Sequence, residues 1–199
     1  VRRFVVGITG ASGSLCARSV LRHLSRHPEV ERVHVVLSLF SLQTMSVELG
    51  RKVQDETEGL RLLLDGETND RIVLHRSGDM AASISSGSYP ADGMVVVPCS
   101  GGTLAAIANG TSSSLLHRAA EVTLKERRPL VLAFRETPIS LVHIENMRRA
   151  AQAGAVLYPL TPAFYNRPQG MDEIVEHFTA RIFDLLRLPH SLGKRWGTS

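Results

Sequence analysis

The sequence predicts a three-layer α/β domain, an open parallel sheet with helices on both faces. Three observations predict it. Short apolar runs of strand length recur along the chain, segments of helical spacing separate them, and a glycine-rich turn follows the first run. A chain of 199 residues with 43% hydrophobic content can fill one core and is short for two, so residues 1–199 are read as one domain with 189–199 as a tail.

Phe4 to Ile8 is an apolar run closed by Gly7-Ile8-Thr9-Gly10-Ala11-Ser12-Gly13, and Leu15 to Leu24 then carries apolar residues at helical spacing. That is a strand, a tight turn and a helix. Val33 to Leu37 reads as a second strand and Ser41 to Leu49 as a second helix starting at a serine cap, which completes a β-α-β unit of right-handed parallel sense. Leu60 to Asn69 is polar and ambiguous, Arg71 to Leu74 fits a third strand, and Ser83 to Ser88 is rich in Ser and Gly. Met94 to Val97 is the clearest buried strand, ending at Pro98-Cys99-Ser100-Gly101-Gly102-Thr103. Helices are expected from Leu104 to Ala108 and from Ser114 to Glu126, a strand from Leu130 to Phe134, and a helix from Ser140 to Ala153 that stops at Gly154. Val156-Leu157 leads into a Pro-rich loop, Tyr158 to Pro168, and Met171 to Leu188 is a final amphipathic helix. Such alternation is Rossmann-like or flavodoxin-like. In the tail, Trp196 is expected to pack on a neighbouring subunit.

No apolar run approaches the roughly 18 residues that cross a bilayer, and Val1-Arg2-Arg3 leads into a strand instead of a signal-peptide core. Two cysteines, Cys16 and Cys99, make neither a disulfide framework nor a metal pattern, so a reduced cytoplasmic setting is expected. The net charge of +4 suits anionic small substrates, and without a basic patch interleaved with aromatics nucleic acid is not an expected partner.

The first loop offers helix-start amides to a phosphate, but Gly7, Gly10 and Gly13 recur every three residues, unlike the dinucleotide fingerprint. Ser38, not an acidic reader of a ribose diol, ends the second strand. Ser100 to Thr103 repeats the device at a central strand end, where hydroxyls and glycines allow a flat ring to come close. Cys99 reads as a packing thiol more readily than a nucleophile, since no Cys-His arrangement accompanies it. Lys125-Glu126-Arg127-Arg128 is either a solvated face or a set of site cations. Arg135-Glu136 follows an apolar strand and points into the crevice, where a carboxylate among cations can exchange a proton with a phosphate. Tyr165 can hydrogen-bond a phosphate oxygen or anchor its loop, and Arg181 lies beside Ile182 and Phe183 in the last helix. Together these residues suggest two anionic ligands.

With these segments in place, the chain resembles the flavin prenyltransferases of the UbiX type, within the homo-oligomeric flavin-containing decarboxylase-like family, over residues 3 to about 190. The resemblance rests on the first glycine loop, Ser88-Tyr89-Pro90-Ala91-Asp92-Gly93-Met94, Pro98-Cys99-Ser100 and Thr103 to Gly110. It continues through Arg118 to Val122, Lys125 to Arg128, Arg135-Glu136-Thr137-Pro138 and Pro162-Ala163-Phe164-Tyr165 before Arg181. It implies transfer of a dimethylallyl group from dimethylallyl monophosphate to N5 of reduced flavin mononucleotide (FMN), ring closure at C6, and no metal. The product serves a partner decarboxylase that depends on prenylated flavin, and the assembly is a homo-oligomer, a dodecamer built from trimers. Matched residue by residue, it places Gly10, Ala11, Ser12, Gly13, Ser38, Ser100, Gly101, Gly102 and Thr103 at the flavin, with Arg118 and Arg135 as helpers. Lys125, Arg135, Glu136, Tyr165 and Arg181 match the prenyl-phosphate site, and Glu48 matches an acidic member of it. Two departures stand out. Gly101-Gly102 replaces the Met-Lys or Met-Arg usual in such proteins, so a cation beside the flavin is missing, and Leu39-Phe40-Ser41 replaces smaller residues after Ser38. Two other readings stay open: a flavin-binding decarboxylase subunit and a non-catalytic flavin carrier.

Overall fold

The computed structural model describes residues 1–193, 195 and 197. Among them, six strands form one sheet in the order β3-β2-β1-β4-β5-β6. They are β1 (Arg2–Ile8), β2 (Val30–Leu37), β3 (Ile72–His75), β4 (Gly93–Cys99), β5 (Leu130–Phe134) and β6 (Val156–Leu157), and every neighbouring pair is parallel. The helices are α1 (Ser14–Arg26), α2 (Leu39–Glu48), α3 (Glu56–Leu63), α4 (Gly101–Asn109), α5 (Leu115–Lys125), α6 (Leu141–Gln152) and α7 (Met171–Leu185), with 3-10 turns at Ser83–Ser85 and Phe164–Asn166. None is long and apolar enough to cross a membrane.

Side chains alternate across each strand, so the sheet has two buried faces. Phe4, Val6 and Ile8 of β1 join Val95 and Val97 of β4 under Val20, Leu21 and Leu24 of α1 and Phe178, Ile182 and Phe183 of α7. Val5, Met94 and Val96 point the other way, under Leu104 of α4, Leu115, Leu116, Ala119 and Ala120 of α5 and Ala150 of α6. Cys99 belongs to this second layer, fully buried, and burial pushes its thiol up to about 12. It is a packing group.

Four elements differ from the sequence reading, among them α4, which starts at Gly101 under a Ser100 cap instead of at Leu104. Val156–Leu157 is a true sixth strand, pairing with Val131 and Leu132, although two residues are too few to show a periodicity. Helix α3 begins at Glu56, with the Asp55 side chain accepting the Glu58 amide, upstream of the ambiguous stretch. Helix α2 is capped by Ser38 instead of Ser41: the Ser38 hydroxyl accepts the Ser41 amide at 3.2 Å. Trp196 lies outside the described residues.

Candidate functional site

Neighbouring strands β1 and β4 send their helices to opposite faces, α1 to one and α4 to the other, so a crevice opens at their C-terminal ends. Thr9 stitches its floor. Its buried hydroxyl donates to the Pro98 carbonyl at 2.7 Å and accepts the Ser100 amide at 2.9 Å. The Arg135 amide donates to the Cys99 carbonyl at 3.0 Å, which ties the exit of β5 to that of β4.

Above this floor lies a cleft of about 560 Å³, lined by Gly10, Ser38, Phe40, Ser100, Gly102, Thr103 and His117, with Ser77, Ser113 and Ser114 at its far wall. Three helices begin on it, each capped by a serine side chain: Ser38 on α2, Ser100 on α4 and Ser114 on α5. Their N-terminal dipoles favour an anionic or electron-rich ligand. Phe40, 76% exposed, gives the cleft an apolar wall for a flat ring. Gly10 lets α2 come close, because a Cβ there would sit 2.8 Å from that of Phe40, and the Thr44 hydroxyl then reaches the Gly10 carbonyl at 2.8 Å. Gly13 turns the chain into α1 at a φ of 136°, open to glycine.

The first amides of α1 are already occupied. Glu48 accepts from the Gly13 amide at 3.1 Å and the Ser14 amide at 2.8 Å. Burial alone would raise its pKa, but hydrogen bonds from the Ser12 and Ser14 side chains and these amides outweigh that and hold it below the ordinary carboxylate value. A phosphate was expected at the start of this helix. In the structure the loop's amides without a partner among the described residues are those of Gly10, Ala11 and Ser12. Behind the loop, burial and then the Glu48 charge push Cys16 up to about 11. Tyr158 rises to about 12 through burial, opposed by the Arg181 charge and reinforced by Cys16 and Tyr165. Tyr165 and Arg181 thus sit on this α1–α7 side, Tyr165 edge-on to His177 at 6.2 Å and Arg181 paired with Asp184.

Glu136 occupies the other side, beside α4. Its Oε1 accepts the Thr137 amide at 3.0 Å, and its Oε2 lies 3.7 Å from the point where a Gly101 Cβ would be. His143 Nε2 comes within 2.9 Å of the same point. The strand-end edge therefore gathers Gly10 to Gly13, Ser38, Glu48, Ser100 to Thr103, Arg135 and Glu136. It does not gather Lys125, which ends the eleven-residue α5, about 16 Å along the helix from the cleft, where the chain turns back to the opposite edge of the sheet. Lys125 pairs there with Glu126, and Arg128 donates to the Gly87 and Tyr89 carbonyls at 2.8 Å. Arg118 is also turned away, onto the Ser85 carbonyl and Glu121, both at 3.1 Å. The sequence reading missed His117, His143, Ser77 and Ser113. The signal for the two histidines was their place three residues after a serine cap.

A flavoprotein family model matches residues 1–182. The probable UbiX-like flavin prenyltransferase of Streptomyces sp. (strain D7) is 46% identical, over 98% of this chain and 91% of its own. The structure of AnUbiX (PadA1) in complex with FMN and dimethylallyl pyrophosphate is 41% identical, covering 100% of this chain and 98% of its own, with a TM-score of 0.86. A dodecameric FMN-dependent UbiX-like decarboxylase from Escherichia coli O157:H7 also superposes with a TM-score of 0.86, at 39% identity over 98% of this chain and 100% of its own. Identity of this order along the whole chain, on a fold whose crevice begins three helices, leaves one affiliation: the chain belongs to the flavoprotein family and, within it, to the flavin prenyltransferases of the UbiX type.

Proposed function

We propose that the protein transfers a dimethylallyl group from a dimethylallyl phosphate to reduced FMN, joining N5 and then C6. The observation that carries this reading is the cleft between β1 and β4, which combines an apolar wall with serine-capped helix starts, while Glu136 stands beside Gly101 at the start of α4. These residues fit FMN: Ser38, Phe40 and Ser100 to Thr103 would flank the ring system, and the amides of Gly10, Ala11 and Ser12 can meet an anion. Ser38 at the end of β2, in place of an acidic side chain, speaks for FMN over a nicotinamide dinucleotide. Reduced FMN, when bound, supplies the nucleophilic N5 and C6 atoms.

The chain's own residues serve the leaving group. A monophosphate departs with up to two negative charges, which Arg135 stabilises beside Glu136, while Arg181 and Tyr165, on the α1–α7 side of the chain, reach such a phosphate from a neighbouring copy. Glu136 gives the phosphate its proton as the carbon–oxygen bond breaks, and the proton displaced from N5 returns to this acid–base pair; for ring closure the same pair would protonate the prenyl double bond and take up the proton displaced from C6. Lys125 reaches this chemistry only from a second copy of the chain. Apolar side chains left exposed on α2 (Leu39, Val47) and α6 (Leu141, Val142, Ile144) support an assembly of many copies, in keeping with the dodecamer formed by the UbiX-like relative. A flavin-dependent decarboxylase would receive the product, in the cytoplasm, where Cys16 and Cys99 stay reduced.

The test is anaerobic incubation with reduced FMN and dimethylallyl monophosphate, followed by mass analysis of the released flavin. A flavin heavier by one prenyl unit is expected. Unchanged FMN, with tight binding retained, would leave the carrier reading, and release of carbon dioxide from an added unsaturated acid would favour a decarboxylase.

A further inference from the structure

We propose that His143 is a further substrate-binding residue, whose Nε2–H donates a hydrogen bond to the phosphate of the prenyl donor beside Glu136; this rests on the function proposed above. The imidazole is held from two directions, by the cap of α6 and by an aromatic ring. It stands at the third position of α6, where its Nδ1 accepts the Ser140 amide at 3.2 Å while the Ser140 hydroxyl accepts the His143 amide at 3.3 Å. The Phe134 ring lies tilted against it at 6.1 Å. Because a backbone N–H points at Nδ1, that nitrogen is the acceptor and the neutral ring carries its proton on Nε2.

Such a donor needs a purpose. Helix capping uses only Nδ1, and Nε2 has no hydrogen-bond partner among the described residues. It is aimed at the first turn of α4, 2.9 Å from where a Cβ on Gly101 would stand, so only a glycine leaves that space to the ring. Glu136 Oε2 lies 3.7 Å from the same point, which brings donor and carboxylate together at the first residue of α4. An oxyanion with a proton to share would meet both groups at the start of α4: Nε2–H serves one oxygen and Glu136 exchanges a proton with another. Gly102 leaves the neighbouring position without a cation, so the Nε2–H donor from α6 meets the anion there.

The test separates this contact from the cap. Asn at 143 can keep an acceptor at the Nδ1 position and lacks anything at Nε2, whereas Gln can reach the Nε2 position with an amide donor. His143→Asn should raise the KM for dimethylallyl monophosphate about ten-fold or more, the range for a hydrogen bond to a charged group, with a smaller change in kcat. Its melting temperature and FMN affinity should match the wild type, and His143→Gln should recover part of the lost KM. An unchanged KM in His143→Asn overturns the proposal, as does a loss of stability and FMN affinity in step with activity, which would mark a structural residue. Wild-type protein that makes prenylated flavin while His143→Asn behaves normally defeats this inference alone; wild-type protein that makes none defeats the proposed function with it.

Discussion

Glu48 of α2 caps helix α1, its carboxylate accepting the Ser14 amide at 2.8 Å from 34 residues away. Hydrogen bonds lower its pKa in the fold despite the opposing effect of burial, so its contribution to stability is present above the ordinary carboxylate range and is lost as pH falls through the lower folded value. Glu48→Ala should cost about 1 kcal/mol at pH 7, as for other capping groups, and toward the low end because the side chain is solvent-exposed. Urea midpoints should differ at pH 7 and converge once the pH has fallen below the lowered folded value.

Glu136→Gln keeps the size of the side chain and removes its exchangeable proton. Turnover should drop by roughly 10²-fold, with little change in FMN affinity. Rapid-quench measurement of N5 adduct formation checks it, and an adduct formed at the wild-type rate followed by normal ring closure would exclude Glu136 from proton handling.

Lys125 and Glu136 lie at opposite edges of one sheet, so a site that uses both takes them from two copies. Lys125→Ala and Glu136→Gln should each be nearly inactive alone. Co-refolded in equal amounts, they should regain activity in about a quarter of the sites, by random pairing in a symmetric assembly. Mixtures without any gain would place both functions in one protomer.

Adjacent glycines of α4 should respond in opposite directions. A Cβ on Gly102 meets nothing within 4 Å, so Gly102→Ala should be neutral or stabilise by up to about 1 kcal/mol through helix propensity. Gly101→Ala must displace His143, 2.9 Å away, and should destabilise by about 1–3 kcal/mol. Thermal denaturation of the two variants compares them directly.

A half-buried chain links three rings: Tyr89 lies 2.6 Å from His34 Nε2, and His34 Nδ1 lies 2.9 Å from His75. Burial first, then the neighbouring His75, lowers the His34 pKa to about 4. The unfolded chain takes up this proton near pH 6.5 and the folded chain does not, so stability should fall between about pH 6.5 and 4, by up to about 1.4 kcal/mol per pH unit. His34→Gln, which can keep both hydrogen bonds, should flatten that slope in urea titrations. An unchanged slope would assign it to other groups.

Residues whose chemistry is local could be read directly. Phe4 to Ile8, Met94 to Val97 and Leu130 to Phe134 are strands because continuous apolar runs can be buried on both faces only in a covered parallel sheet. The turn at Gly10 to Gly13 and the hydroxyls of Ser38 and Ser100 lie at strand ends, which is where an α/β sheet opens its crevice. What depends on distance in space had no local signal. Val156–Leu157 becomes a strand only because β5 offers an edge to pair with. Ser38 rather than Ser41 caps α2, a choice made by the angle at which the chain leaves β2. Glu48 meets α1, and His143 meets Gly101, only after helices from separate crossovers pack side by side. Lys125 matches the same prenyl-phosphate site as Glu136 but stands at the other edge of the sheet, since a helix of eleven residues must span the sheet before the next parallel strand can start. Sequence thus determined which charged and polar groups are available to the proposed chemistry, and the tertiary fold decided which of them one chain can bring together.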